Sequence, residues 1–221
     1  VPFEILVTKA KKFERISYQQ LDYLINSYKI GYSYSTKVLL NDLNVKRKPE
    51  KSLAAFAPSY EVIPNVKEYS TSTRQDYREK LFPLKGINKE VDRITSIIPG
   101  DAFKDFEATE DQFKEKSKEY DILHLAMHTL VNDQEPMYSK MAFTQQEGNK
   151  EDGFLNTYEI YNLNLQSRMA VLSSCNTGMG KLQKGEGVIS LARGFKYAGC
   201  PSILMTMSPV KDNSSIRLME Y

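Results

Sequence analysis

Cysteine and histidine are scarce in this chain, at two each in 221 residues, and scarcity makes their positions informative. Cys175 and Cys200 do not read as a disulfide. Nothing else in the sequence points to an oxidising compartment, and Cys200, between Gly199 and Pro201 at the edge of an apolar run, has the setting of a buried free thiol. No run of about eighteen or more apolar residues occurs, so no membrane-spanning helix and no membrane partner are expected. The first residues lack the basic start and small-residue cleavage site of a secretory signal. Together these absences point to a cytoplasmic location. Excess charge of one sign is missing too: 30 Lys and Arg face 28 Asp and Glu, for a formal net charge of +2. No basic stripe interleaves with aromatics, so nucleic acid is not expected as a main partner. Internal repeats and low-complexity tracts are also absent.

What is present is an ordinary globular composition, 41% hydrophobic and 26% charged, enough for one sizeable α/β domain. The sequence opens in a strand-like run over 3–7 and stops at Tyr221 in a helix-like one, so residues 1–221 read as a single domain truncated at both ends. A second strand is expected over 29–34 and a helix after Ser35. The run 53–57, closed by Pro58, reads as a buried strand. Residues 59–83 are polar and read as a mobile insertion loop. A helix over about 85–98 follows, with Ile87, Val91, Ile94, Ile97 and Ile98 on one face. Next come a short strand at 102–107 and a helix to Lys118 opened by Thr109 and Gln112 as a capping box.

Beyond that the pattern predicts strands over 120–127, 141–144, 169–174 and 202–206. Helices are expected near 157–163, over 187–198 and from Asp212. Strands alternating with helices, the strands near-continuously apolar, imply a mostly parallel sheet with helices on both faces, a three-layer α/β/α fold.

Two of the apolar runs end on reactive side chains. Residues 122–127 close on His128, and residues 169–174 close on Cys175, 47 positions later (175 − 128). Loops at the carboxyl ends of parallel strands are where α/β proteins place their chemistry. A thiol becomes a useful nucleophile when a histidine or a helix N-terminus raises its thiolate fraction. The glycines at 178, 180, 185 and 187 behind Cys175 allow close approach of a peptide substrate. The N–H groups of Thr129 and Cys175 are candidates for holding a developing oxyanion. Against this stands the plain reading of Cys175 as a small core hydrophobe, disfavoured because the residue lies past its apolar run beside glycines. His124 shares a strand face with His128 but lies deeper. It reads as a hydrogen-bonded structural histidine, with a supporting role in orienting the site as the alternative.

Rival motifs fail on spacing. Gly178-Met179-Gly180-Lys181 is followed by Leu182 where a phosphate loop needs Ser or Thr, and Leu125 follows His124 where a zinc helix needs Glu. No metal is expected.

Four ordered blocks carry a resemblance: residues 120–128, then 172–178, then 185–195, then 198–202. Together they resemble the CHAT domain, whose members are caspase-like cysteine peptidases of bacteria, usually fused behind TPR helical repeats. The spacing of 47 also suits the caspase pattern of a histidine about 50 residues before the cysteine. The resemblance implies a caspase-like fold and a dyad without a third acid, in which His128 is the general base and Cys175 the nucleophile. It implies a protein or peptide substrate, no cofactor, and regulation by TPR-type repeats outside this sequence.

Departures from the family pattern are specific. Thr129 stands where the family usually has glycine, and tryptophan, usual in the strand-end motif before Val-x-Asp, is absent from the chain. In the related separases an aspartate matching Asp212 lies in the pocket for a basic P1 residue, so the resemblance offers Asp212 as a selector for Lys or Arg. A helix-opening acid is the plain alternative. Two other functions stay open: an inactive protease-shaped scaffold for protein–protein interaction, and a different thiol hydrolase or acyltransferase.

Overall fold

The computed structural model describes residues 3, 6–8, 18–31, 36, 39–40, 48–60, 81–173 and 186–205. Cys175, Asp212, most of the polar segment (61–80) and the last expected helix lie outside the described residues. The chain divides into two compact units, Val1–Lys46 and Arg47–Tyr221. In the first, Val7 bridges Tyr23 in antiparallel fashion, and single helical turns cover Tyr18–Gln20 and Leu24–Asn26. Residues 29–31 of the expected strand have no regular structure.

The second unit is built on a five-stranded sheet in the order β2-β1-β3-β7-β8, every neighbour parallel. Its strands are β1 (Lys51–Pro58), β2 (Gly100–Asp105), β3 (Tyr120–Leu125), β7 (Met169–Leu172) and β8 (Ser202–Met205). The helices are α1 (Ile87–Ile97), α2 (Glu110–Lys116), α3 (Thr157–Ile160) and α4 (Glu186–Tyr197). This is the sheet that the alternation of apolar strands with helices implies. Residues 53–58 are buried without interruption, the mark of a strand covered on both faces.

Side-chain alternation divides that cover. From β1 and β3, Ala54, Phe56, Leu123 and Leu125 join the main core with Phe113 of α2 and with Leu191 and Phe195 of α4. The opposite face brings Ala55 and Ala57 of β1, with Ala126 just after β3, against Val91 of α1. Phe56 anchors the main core, stacked on Phe103 at 4.6 Å and edge-on to Phe113 at 5.4 Å. Such pairs add to area burial through their favourable ring geometry. Helix α2 shows one arm of the expected capping box, Gln112 N donating to Thr109 Oγ1 at 3.2 Å, while Thr109 N donates to Glu107 O at 2.9 Å and not to the Gln112 side chain. Helix α4 is followed by Gly199 at φ 112, with Cys200 N donating back to Phe195 O at 3.0 Å. A side chain there would meet the Leu165 carbonyl as well as a disfavoured backbone region.

Of the remaining strands the sequence predicts only the one over 141–144, found as Lys140–Ala142. A second, antiparallel sheet in the order β4-β5-β6 consists of Thr129–Leu130, Lys140–Ala142 and Phe154–Asn156. It starts at the residue immediately after His128.

Candidate active site

His128 lies between the two sheets. Strand β3 is held to β1 as far as Ala126, whose N–H donates to Phe56 O at 2.9 Å. The next two residues carry the chain across into β4. Met127 enters the main core, while His128, 1% exposed, enters an aromatic niche. The Tyr60 ring lies 4.8 Å from the imidazole, tilted by 53°, and the Phe82 ring lies 4.7 Å away edge-on. Tyr60 and Leu81 belong to a small cluster with Ala142 and Phe154 of the second sheet.

The imidazole is fixed by a backbone group. His128 Nε2 lies 2.7 Å from the Phe82 carbonyl oxygen. A carbonyl only accepts, so Nε2 carries the proton in this contact, and in the neutral ring Nδ1 is left as the basic nitrogen. The His128 N–H is also held, donating to the Tyr60 hydroxyl at 2.9 Å.

Thr129, 4% exposed, opens β4 opposite Met141. Ala142 N donates to His128 O at 2.9 Å, so His128 and Ala142 form a bonded pair of the ladder. Bonded and non-bonded pairs alternate along antiparallel strands, which makes Thr129–Met141 a non-bonded pair and turns the Thr129 amide away from β5.

His124 sits on the other layer. Its Nε2 lies 2.8 Å from Glu90 Oε1 of α1, with both side chains about 3% exposed. Cys200 is a buried free thiol whose Sγ lies 3.5 Å from Ser202 O. The nucleophile candidate Cys175 and the pocket candidate Asp212 fall outside the described residues, so their distances to His128 are not part of this geometry. What is described is the approach to Cys175. Strand β7 ends with Leu172 opposite Leu125 of β3, and Ser173 after it is buried.

Among the described residues one carboxylate group could hold a cation: Glu110, Glu151 and Glu159, their oxygens within 4.8 Å of one another. A cation is already there. Lys114 Nζ lies 2.8 Å from one oxygen of each. Burial works against that ammonium, but the three carboxylates outweigh it and raise its pKa. Glu110 is pushed the other way, up to about 7, because burial outweighs its contact with Lys114. The cluster ties α2 to the segment that enters the second sheet and lies apart from His128 in the chain.

Tyr60 and Phe82 are the site residues that sequence reasoning missed. Both lie within the segment read as an insertion loop, at its two ends. The signal was there: aromatic and apolar residues, Tyr60 and Leu81-Phe82, bracket the polar stretch and mark its ends as anchored.

A family model described as the CHAT domain matches residues 1–221, the whole chain. No curated protein matches the sequence significantly.

Proposed function

Because the chain belongs to the CHAT domain family, a caspase-like protease family, we propose that it is a cysteine endopeptidase working through an acyl-enzyme on Cys175, with His128 as general base. The observation that carries this reading is strand register. Leu125 of β3 and Leu172 of β7 are paired neighbours, and each precedes its reactive residue, His128 or Cys175, by three positions. Two parallel strands that end level deliver their following loops to the same edge of the sheet.

In this mechanism Nδ1 of His128 takes the thiol proton while Nε2–H stays on the Phe82 carbonyl. The thiolate attacks the scissile carbonyl carbon, and the oxyanion that develops is met by the N–H groups of Thr129 and Cys175. The imidazolium then gives its proton to the leaving amine. Water, deprotonated at the same nitrogen, releases the acyl group and restores the thiol. The Phe82 carbonyl orients the ring and faces the imidazolium with its negative end, a role that needs no acidic side chain. Asp212 is the candidate selector of a basic P1 residue, and TPR-type repeats are the candidate regulators.

The test is labelling by an electrophilic peptide probe. Wild type is expected to react and Cys175→Ala not to, while His128→Ala should slow the reaction about 10²–10⁴-fold. Equal labelling of wild type and Cys175→Ala ends the proposal. The scaffold reading, supported by Thr129 in place of glycine, is favoured instead if Cys175→Ala retains full biological output.

A further inference from the structure

The Tyr60 hydroxyl occupies an unusual place in the second sheet. It accepts from His128 N at 2.9 Å and donates to Ala142 O at 2.8 Å. Ala142 N donates directly to His128 O at 2.9 Å. A bonded antiparallel pair ordinarily exchanges N–H···O bonds in both directions, with the two Cα atoms about 5.5 Å apart. At His128–Ala142 one arm is direct and the other runs through a phenol oxygen. Two bonds in series hold His128 N farther from Ala142 O than one bond would. The hydroxyl therefore acts as a wedge that splays the ladder at the residue carrying the imidazole.

A rigid ring with one hydroxyl suits this place, because the bridging group must donate and accept at once and must not swing. The Tyr60 ring also packs on the imidazole, and beyond the polar stretch Phe82 supplies the carbonyl that takes Nε2–H. The backbone and the ring of one histidine are thus fixed separately, from the two ends of one segment.

We infer that Tyr60 is a positioning residue for His128: its hydroxyl, wedged between His128 N and Ala142 O, sets the backbone direction from which Nδ1 faces the nucleophile while Nε2 stays on Phe82. The inference rests on reading His128 as the base. The role it gives Tyr60 is exerted through His128, whose backbone and ring Tyr60 meets.

Tyr60→Phe is the diagnostic change, since it keeps the ring and removes the wedge. His128 N and Ala142 O are then free to close to a direct bond of about 2.9 Å, rotating the imidazole off its alignment. The rate of Cys175 alkylation by iodoacetamide is followed against pH in the full chain. Tyr60→Phe is expected to move the acid limb of the profile up by about one pH unit, toward an ordinary thiol, with a loss of about tenfold at neutral pH. Site-specific 3,5-difluorotyrosine at position 60 keeps ring and hydroxyl but weakens the oxygen as an acceptor, and should give a smaller shift of the same sign. It also serves if Tyr60→Phe does not fold. A reactive wild type whose profile neither change moves overturns the inference.

If wild-type Cys175 reacts as an ordinary thiol, the peptidase reading is what fails. The wedge is then judged on nitrogen-15 spectra of His128: a wild-type ring protonated at Nε2 that becomes a tautomer mixture in Tyr60→Phe supports it, and an unchanged ring overturns it.

Discussion

His124 and Glu90 join β3, the strand that leads to His128, to helix α1 through a 2.8 Å contact between side chains almost closed to solvent. His124 precedes His128 by only four positions, yet the two rings face different surroundings. One meets a carboxyl on the helical layer and the other a carbonyl beside the second sheet. The first contact carries stability and the second carries the proposed chemistry.

Removing one member of the buried pair leaves the other without its partner, which costs more than the pair contributes net. Glu90→Ala is expected to lower unfolding stability by about 2–4 kcal/mol in chemical denaturation. The double change Glu90→Leu with His124→Leu should recover much of that loss, because both polar groups leave together. Probe labelling at Cys175, scored per folded molecule, should survive both. Losses that simply add would show that the two side chains are not coupled.

Glu110 makes stability depend on pH. Its folded pKa, about 7, lies above its ordinary value of 4.5 because burial disfavours the charge, with Lys114, Glu151 and Glu159 as the facing charged groups. A carboxyl raised on folding binds its proton more tightly in the native state. Its stabilising contribution is full below pH 4.5 and is lost as pH rises through about 7. Glu110→Gln, which mimics the protonated form, should flatten this stretch of the stability curve and be the more stable protein at pH 8 by on the order of 3 kcal/mol. Unfolding titrations at pH 4, 6 and 8 measure it, and parallel curves for the two proteins would refute the assignment.

Gly100 begins β2 opposite Leu53, where a Cβ would stand 2.2 Å from the Leu53 carbonyl oxygen. Backbone is hit, and no flexible side-chain end can give way. Gly100→Ala should cost more than about 2 kcal/mol, with amide protection lost over 100–105 before 120–125. Uniform protection with an unchanged unfolding midpoint would contradict that collision.

The parallel sheet was legible because its strands are continuous apolar runs whose ends fall on clear stops, as at Pro58 after residues 53–57. His128 and Cys175 were singled out as candidates because they close two such runs, and of the two His128 lies among the described residues. Of the small sheet only the middle strand was legible, as the run expected over 141–144. Its strands are two or three residues long, too short to show a period of two, and their pairing depends on contacts such as Ala142 N to His128 O that no local pattern encodes. Tyr60 and Phe82 escaped for a related reason. The polarity of the stretch between them pointed to a loop, while their roles come from converging on a histidine 46 or more residues away in sequence.

Thr129 offers a sharp test of the oxyanion assignment, because its amide points away from β5. Replacing it with proline removes the N–H without deleting a bond to Met141, with which it forms a non-bonded pair. Proline also confines the preceding residue to extended backbone, the region that the ladder bond of His128 to Ala142 already requires. Thr129→Pro therefore leaves the bonds between β4 and β5 in place, and β4 stands at the edge of its sheet, where proline is tolerated. Its acylation rate should fall about 10²–10³-fold with substrate binding little changed. Thr129→Gly keeps the N–H and matches the family's usual residue, so its acylation rate should stay within a few-fold of wild type while stability drops by about 1 kcal/mol through backbone entropy. Pre-steady-state acylation with an activated peptide ester separates these effects. Equal slowing by Pro and Gly would mean that the Thr129 side chain, and not its amide, supports the reaction.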